Sequence, residues 1–349
     1  MTPASPTSPP APRSIAVLTG LPDDGKVRVA GLGQGHRINR VIVPGQAHFV
    51  PFFDAETQKR LPTLLFGQKH PLMVDKRAEN RLVVNNIADA DVCRTSLDLL
   101  AQKVAELDII AFNPPKSIAA TTRDQVAAKL AGIRGLVAPA TTRIALKDPN
   151  NLADEAEAAG ISFPLIARVV GTHGGEAAVL VDSPETALDG LARIPWGGRE
   201  LYLTRFVDYR DDDGRYRKQR LVIVGDQVFL RHHIVADGWH IHSHSRDTAS
   251  LTEERSQLAA FESTTLPRIR AAIDAIREAL DLDYFGIDCS IRPDGSILLF
   301  EANAAMNILL NSAPTPNMWE EPVHRIRDAL VALLFAPGQW RAYAAEGRP

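Results

Sequence analysis

One stretch near the C-terminal end, Asp283-Tyr-Phe-Gly-Ile-Asp288-Cys-Ser-Ile-Arg-Pro-Asp-Gly-Ser-Ile-Leu-Leu-Phe-Glu301-Ala-Asn303, constrains the fold most. Two runs rich in β-branched and aromatic residues flank Asp294-Gly295, a strong two-residue turn signal, so the stretch reads as a β-hairpin. If Asp294-Gly295 is the whole loop, Pro293 faces Ser296 and Asp288 lies directly opposite Glu301. Asn303, two residues on, shares the face of Glu301. Ile287, Cys289 and Ile291 then point to the other face with Leu298 and Phe300, and give that face a core. Two carboxylates opposed across a hairpin repel unless positive charge sits between them. Two carboxylates and an amide oxygen suit Mg²⁺, which keeps its remaining positions for water or phosphate oxygens. A surface hairpin with acidic residues facing water is the plain alternative on this spacing alone.

At 349 residues the chain is too long for one small core, and two or three subdomains are expected. A net charge of −3 gives no electrostatic footprint for nucleic acid or an anionic membrane. No apolar run approaches the length of a membrane span, and the N-terminus lacks a basic-then-apolar leader pattern. Cys93 and Cys289 cannot make a disulfide framework; both read as small buried thiols in a reducing compartment, so a cytoplasmic location is expected.

In chain order, residues 1–13 are rich in Pro, Ser and Thr and read as a disordered tail. Ser14–Leu18 reads as a strand. Gly20-Leu-Pro-Asp-Asp-Gly-Lys26 superficially fits a phosphate loop, but Val27 stands where Ser or Thr should follow, so a plain turn is expected. Gly31–Gly35 reads as a flexible loop. Strands at Arg40–Val43, Leu82–Asn85 and Asp108–Phe112, with a helix over Val92–Leu107, argue for a small α/β domain. Asn113-Pro114-Pro115 stops the last of these strands. Gln125–Ala131 reads as a helix, and Phe163–Val170 and Ala177–Val181 as strands around the loop Gly171-Thr-His-Gly-Gly175. Such a loop is either a mobile hairpin tip or a flap whose backbone N–H groups can lie over phosphates.

Glu200–Val207 reads as a strand, and the polar run Asp208–Lys218 as a solvated connection. Arg220–Val224 and Gln227–His232 form a hairpin about Gly225-Asp226. Five of the ten histidines fall between positions 232 and 244. His240, His242 and His244 alternate and would share one strand face, but ligands at that spacing reach a tetrahedral Zn²⁺ poorly. A polar substrate cleft or a solvated edge strand accounts for them better. Leu251–Leu280 reads as helical with an interruption near Pro267, Pro322–Phe335 as an amphipathic closing helix, and the residues beyond Pro337 as loosely held.

The order of these motifs resembles the ATP-grasp superfamily, near its glutathione-synthetase and ribosomal-protein glutamate ligase branch, over about residues 110–335. Asn113-Pro-Pro with Arg123-Asp124 looks like the start of the central domain. Phe163-Pro-Leu-Ile-Ala-Arg168 with Gly171–Gly175 looks like the nucleotide-binding strand and phosphate flap. Leu203-Thr-Arg-Phe-Val207 looks like the adenine hinge, and Asp288 with Glu301-Ala-Asn303 like the metal motif. The chain is also similar to a large bacterial ATP-grasp subgroup.

The resemblance implies an α/β (α+β) ATP-grasp fold: an N-terminal α/β domain over residues 14–120, a central subdomain over 121–200 and a C-terminal one over 201–349. It implies carboxylate plus ATP giving an acyl phosphate, then attack by an amine or another nucleophile. Mg²⁺, or Mn²⁺ in its place, would be held by Asp288, Glu301 and Asn303. The phosphates would meet Arg123, Lys129, Arg168 and the flap residues Gly171, Thr172, His173, Gly174 and Gly175. The adenine would meet Thr204, Arg205, Phe206, Val207 and Asp208. Arg220 and Arg168 would serve the transferring phosphoryl group, and Arg231 would fix a substrate carboxylate beside His233, His240, His242 and His244. Partners would be ATP, a carboxylate-bearing small molecule or peptide, and a nucleophile, with a homodimer the common assembly. A phosphotransferase, or a nucleotide- or peptide-binding module without catalysis, is the competing reading.

The departures from the family pattern are specific. Arg168 stands where a lysine is usual, Gln125 replaces a second lysine, Arg205 occupies a usually acidic hinge position, and Lys218 replaces the acidic residue two positions before Arg220. Arg123 or Lys129 would supply the missing central-domain charge.

Overall fold

The strand-forming runs assemble three main sheets in a computed structural model, which describes residues 13–32, 38–67, 81–175, 177–241 and 246–345. The expected tail, apart from its last residue Arg13, and most of the Gly31–Gly35 loop fall outside these, as do His242 and His244. The first sheet is built from β1 (Ala16–Gly20), then, after a ribbon of β2 (Arg28–Leu32) and β3 (Ile38–Ile42), from β4 (Thr63–Phe66), β5 (Leu82–Asn85) and β6 (Ile110–Phe112). Its order is β4-β1-β5-β6, all parallel, with the helix Arg94–Leu107 crossing between β5 and β6. β1, β5 and β6 are short, apolar and buried, as a parallel sheet needs, while β4 is a largely exposed edge.

After β7 (Leu136–Val137) come the strands of the second sheet: β8 (Thr141–Ile144), β9 (Leu165–Val169), β10 (Ala178–Val181) and β11 (Leu201–Arg205). It is antiparallel, in the order β10-β9-β11-β8. The third sheet has β12 (Tyr216–Val224), β13 (Gln227–Ala236), β14 (Tyr284–Ile291) and β15 (Ile297–Asn303), in the order β13-β12-β14-β15-β7. The first and third sheets share one continuous apolar core, from Ile15 and Phe112 to Phe285 and Trp340. The second sheet has its own, around Leu165, Val169 and Leu201.

A buried polar clamp fixes the shared core. Asn113, at φ +53°, donates its backbone N–H to Asp283 at 2.6 Å and accepts the Asp283 and Tyr284 N–H groups at 2.8 and 2.9 Å. Asn is among the few residues that tolerate this left-handed backbone. Asp283 also accepts the Arg341 N–H at 2.6 Å, and burial pushes its carboxyl up to about 6. The end of β6, the start of β14 and the C-terminal helix Arg341–Ala345 thus meet at one side chain.

Three sequence expectations are corrected here. Residues 338–345 are not loosely held: the Trp340 ring is fully buried and its indole N–H donates to the Leu333 carbonyl at 2.8 Å. The run Asp208–Lys218 is not simply solvated: Tyr209 and Tyr216 are buried, and Arg217 bonds Asp211, Asp213 and Glu253. The third correction is the central hairpin. Its loop holds three residues, closed by Arg292 N–H to Ser296 O at 2.9 Å, with Gly295 at φ +86°. The ladder therefore starts one residue out of the expected register, with Ile291 facing Ile297 and Cys289 facing Leu299. A bulge at Phe300 restores it, and Asp288 still faces Glu301. The slip changes faces as well: Ile297 and Leu299 join the shared core, while Leu298 and Phe300 pack toward the cavity described below.

Candidate active site

Four side chains lie in one row across the third sheet. His232 on β13 faces Arg220 on β12, Arg220 faces Asp288 on β14, and Asp288 faces Glu301 on β15. All four line a single cavity of about 380 Å³ between the second and third sheets. Both outer ladders carry a bulge beside this row. From the Gly225-Asp226 turn, an unbroken ladder would pair Arg220 with Arg231; the observed shift between Arg220 and Leu221 puts His232 there instead. Bulges commonly re-aim side chains beside functional sites.

The row is electrostatically committed. Arg220 grips Asp288 with both arms of its fork, Nε to Oδ1 at 2.7 Å and Nη2 to Oδ2 at 2.9 Å, and Lys218 Nζ adds a contact to Oδ2 at 3.3 Å. Burial pushes the Asp288 carboxyl up, but Arg220 and Lys218 outweigh it and hold it far below the usual carboxylate range. Glu301 is partly buried, with Arg123 Nη2 on its Oε2 at 2.7 Å, and the net effect again lowers its pKa. Asn303 donates its side-chain N–H to Glu301 Oε1 at 2.5 Å and accepts the Ala305 N–H at 2.9 Å. Arg168 on β9 lines the same cavity. Among the described residues it has no hydrogen bond or ion pair, and burial, then Arg123, push it down to about 10.

The glycine-rich loop forms the adjoining wall. Gly171, Thr172, His173, Gly174 and Gly175 all line the cavity, and the three glycines have φ between +71° and +82°, which side chains rarely adopt. Thr172 Oγ1 donates to the Val169 carbonyl at 2.6 Å, and His173 Nε2 contacts Asp89 Oδ2 at 2.6 Å. Asp89, after β5, also accepts the Asp91 and Val92 N–H groups. Asp91 receives the Tyr202 hydroxyl at 2.7 Å and an ion pair from Arg143. The first sheet thereby contributes an acidic edge to the cavity.

At the other end Thr204, Arg205, Phe206 and Val207 line the wall, and an aromatic slot opens beside them. Trp239 stacks on His240 with centroids 4.8 Å apart and meets Phe206 edge-on at 5.9 Å. Ile166, Ile234 and Leu298 complete the apolar lining.

Several expected site residues lie elsewhere. Arg231 is buried and spends its guanidinium on the Ile308 and Leu310 carbonyls, at 2.7 and 2.8 Å, so it anchors the segment after β15 instead of facing the cavity. His233 is buried between Gln219 and Glu253. Lys129 is exposed on its helix, and Asp208 pairs with Arg210; neither lines the cavity. His232, Trp239, Asp89, Asp91, Arg143 and Tyr202 were not singled out from the sequence. For His232 the signal was its alternation with Ile234, which only the bulge makes decisive.

The donor set of Asp288, Glu301 and Asn303 is all oxygen and lies on one face, the type a hard divalent cation takes. A carboxylate offers about four lone-pair sites, so the grip of Arg220 leaves capacity on Asp288, part of which Lys218 takes. The residues fit such an ion in chemistry. No group of three His, Cys, Asp or Glu suited to a metal occurs among the described residues.

Neither a family profile nor a curated protein matches this sequence. Solved structures do. A D-alanine–D-alanine ligase from Bacillus anthracis in complex with ATP superposes with a TM-score of 0.53 at 13% identity, covering 96% of this chain and 99% of that one. The VanG D-Ala:D-Ser ligase from Enterococcus faecalis gives 0.52 at 14% identity, covering 92% and 99%. The ADP complex of an N5-carboxyaminoimidazole ribonucleotide synthetase gives 0.51 at 11%, covering 93% and 79%. This chain shares the fold of these three proteins.

Proposed function

We propose that this chain is an ATP- and Mg²⁺-dependent ligase that joins a carboxylate to an amine, or to another nucleophile, through an acyl phosphate. The single observation that carries the reading is Arg168: a partly buried cation without a partner among the described residues, facing a cavity beneath a glycine-rich loop. Such a group is costly unless an anion comes to meet it. A nucleotide triphosphate fits the whole cavity, with its base in the Trp239 slot and its phosphates toward Arg168, Arg123 and the loop amides. Two of the similar structures are named as ATP and ADP complexes, which supports nucleotide use here.

In this reading the domains run 14–120, 121–200 and 201–349, and the two later ones enclose the nucleotide. Asp288, Glu301 and Asn303 would hold Mg²⁺, which when bound neutralises the phosphate oxygens. A carboxylate oxygen attacks the γ-phosphorus and ADP leaves. The nucleophile then attacks the acyl carbon, phosphate leaves, and the nucleophile's proton passes to solvent. Arg168 and Arg220 stabilise charge on the transferring group, and the loop excludes water from the hydrolysable mixed anhydride. The carboxylate substrate is a small molecule or peptide.

Hydroxylamine trapping tests the acyl phosphate. A panel of carboxylates with Mg·ATP and hydroxylamine should yield a hydroxamate for at least one member. A stable phosphorylated product that hydroxylamine does not intercept would make the chain a phosphotransferase instead.

A further inference from the structure

The Lys218 ammonium sits 3.3 Å from Asp288 Oδ2, on the same strand and two residues from the arginine that already grips that carboxylate. One carboxylate therefore carries two protein cations. They are not held alike. Arg220 makes three hydrogen bonds, two to Asp288 and one to the Asn307 carbonyl at 3.1 Å. Among the described residues Lys218 makes a single longer contact, from a flexible four-carbon stem that lines the cavity wall. A divalent cation arriving at Asp288 would displace the weaker tenant. The freed ammonium then needs an anion, and the cavity that faces it is the one proposed to receive phosphates.

We propose that Lys218 gates the cation site: it occupies Asp288 while the nucleotide is absent and transfers to a phosphate oxygen when nucleotide and divalent cation enter together. The inference rests on the ligase reading, because it takes Asp288 as a cation ligand. Its consequence is an order of binding. The protein holds a divalent cation poorly by itself and well beside a nucleotide, so the cation enters with the phosphates. Lys218 is a positioning residue in this scheme, acting on the cation through Asp288.

The test is a Mn²⁺ titration followed by the electron-paramagnetic signal of the free ion, with and without a non-hydrolysable ATP analogue. Wild type should bind Mn²⁺ alone at least about tenfold more weakly than with the analogue, a gap of roughly 1.4 kcal/mol or more. Lys218→Met keeps the stem and removes the charge, and should bind Mn²⁺ alone about tenfold more tightly than wild type while losing about tenfold in affinity for the analogue. Lys218→Gln serves as a second variant should the first fold poorly. If wild type binds Mn²⁺ with the analogue but neither variant gains affinity for Mn²⁺ alone, the gate is wrong and the cation site stands. If wild type binds no Mn²⁺ even with the analogue, the cation site itself fails, and the gate with it.

Discussion

His173, in the glycine-rich loop, reaches across to Asp89, 84 positions earlier in the chain, and contacts its buried carboxylate at 2.6 Å. The loop over the cavity is thus tied to the first sheet by one side-chain pair. Asp89 is itself fixed by two backbone N–H groups, so it is a rigid anchor.

That pair carries a pH dependence with a definite sign. The Asp89 hydrogen bond raises the His173 pKa above its ordinary 6.5; burial and Arg123 oppose the rise, while Glu301 assists it. A group raised on closing stabilises the closed loop below its ordinary pKa, and that contribution is lost as pH rises through the raised value. Hydrogen exchange across residues 169–175 should therefore speed up as pH rises beyond the range expected from intrinsic exchange alone. Asp89→Asn should remove the extra dependence; an unchanged profile in that variant would mean the pair does not hold the loop.

Arg168→Met should move stability and binding in opposite directions. Removing a partly buried cation that lacks a partner among the described residues leaves the melting temperature unchanged or raises it. The same change removes the anion's counter-charge, so the thermal shift produced by Mg·ATP should fall, with affinity reduced about 10- to 100-fold. Loss of stability together with undiminished nucleotide binding would show Arg168 to be structural.

Asp288→Ala should destabilise the fold by about 3–5 kcal/mol, because it leaves Arg220 uncompensated beside the cavity. The carboxyl is lowered in the folded state, so its contribution is present above its ordinary pKa of 3.8 and is lost as pH falls through the folded value. Urea melts of both proteins near neutrality and in acid should converge as Asp288 protonates.

Trp340→Ala should cost about 3–5 kcal/mol, since the ring is fully buried against Phe112 with centroids 5.5 Å apart. A melt indistinguishable from wild type would mean the C-terminal segment is the loose end its composition suggests.

The central hairpin shows how far the sequence could be read. Asp288 and Glu301 do face each other, but the route to that pairing had two compensating errors: a loop one residue too short and a bulge at Phe300. Turn dipeptides indicate a hairpin without fixing its loop length, and a bulge leaves no mark in local composition. The bulge beside Arg220 had no such compensation, and it directs Arg231 to two carbonyls and His232 to the cavity. Residues drawn from short local patterns, such as Gly171–Gly175 and Thr204–Val207, all line the cavity. Asp89, Asp91 and Trp239 come to it from distant elements, and no spacing in the chain announces that. The opposed carboxylates also meet protein cations, Arg220 and Lys218 on Asp288 and Arg123 on Glu301, and those partnerships exist only once the strands are paired and the helix of Arg123 is packed against them.

The most direct test of the central claim is the nucleotide product formed when ATP, Mg²⁺, a carboxylate pool and an amine pool are incubated with the protein. The account predicts ADP and phosphate in equal amounts, with steady production requiring both the carboxylate and the nucleophile. AMP and pyrophosphate would contradict it, because they report adenylation of the carboxylate instead of its phosphorylation.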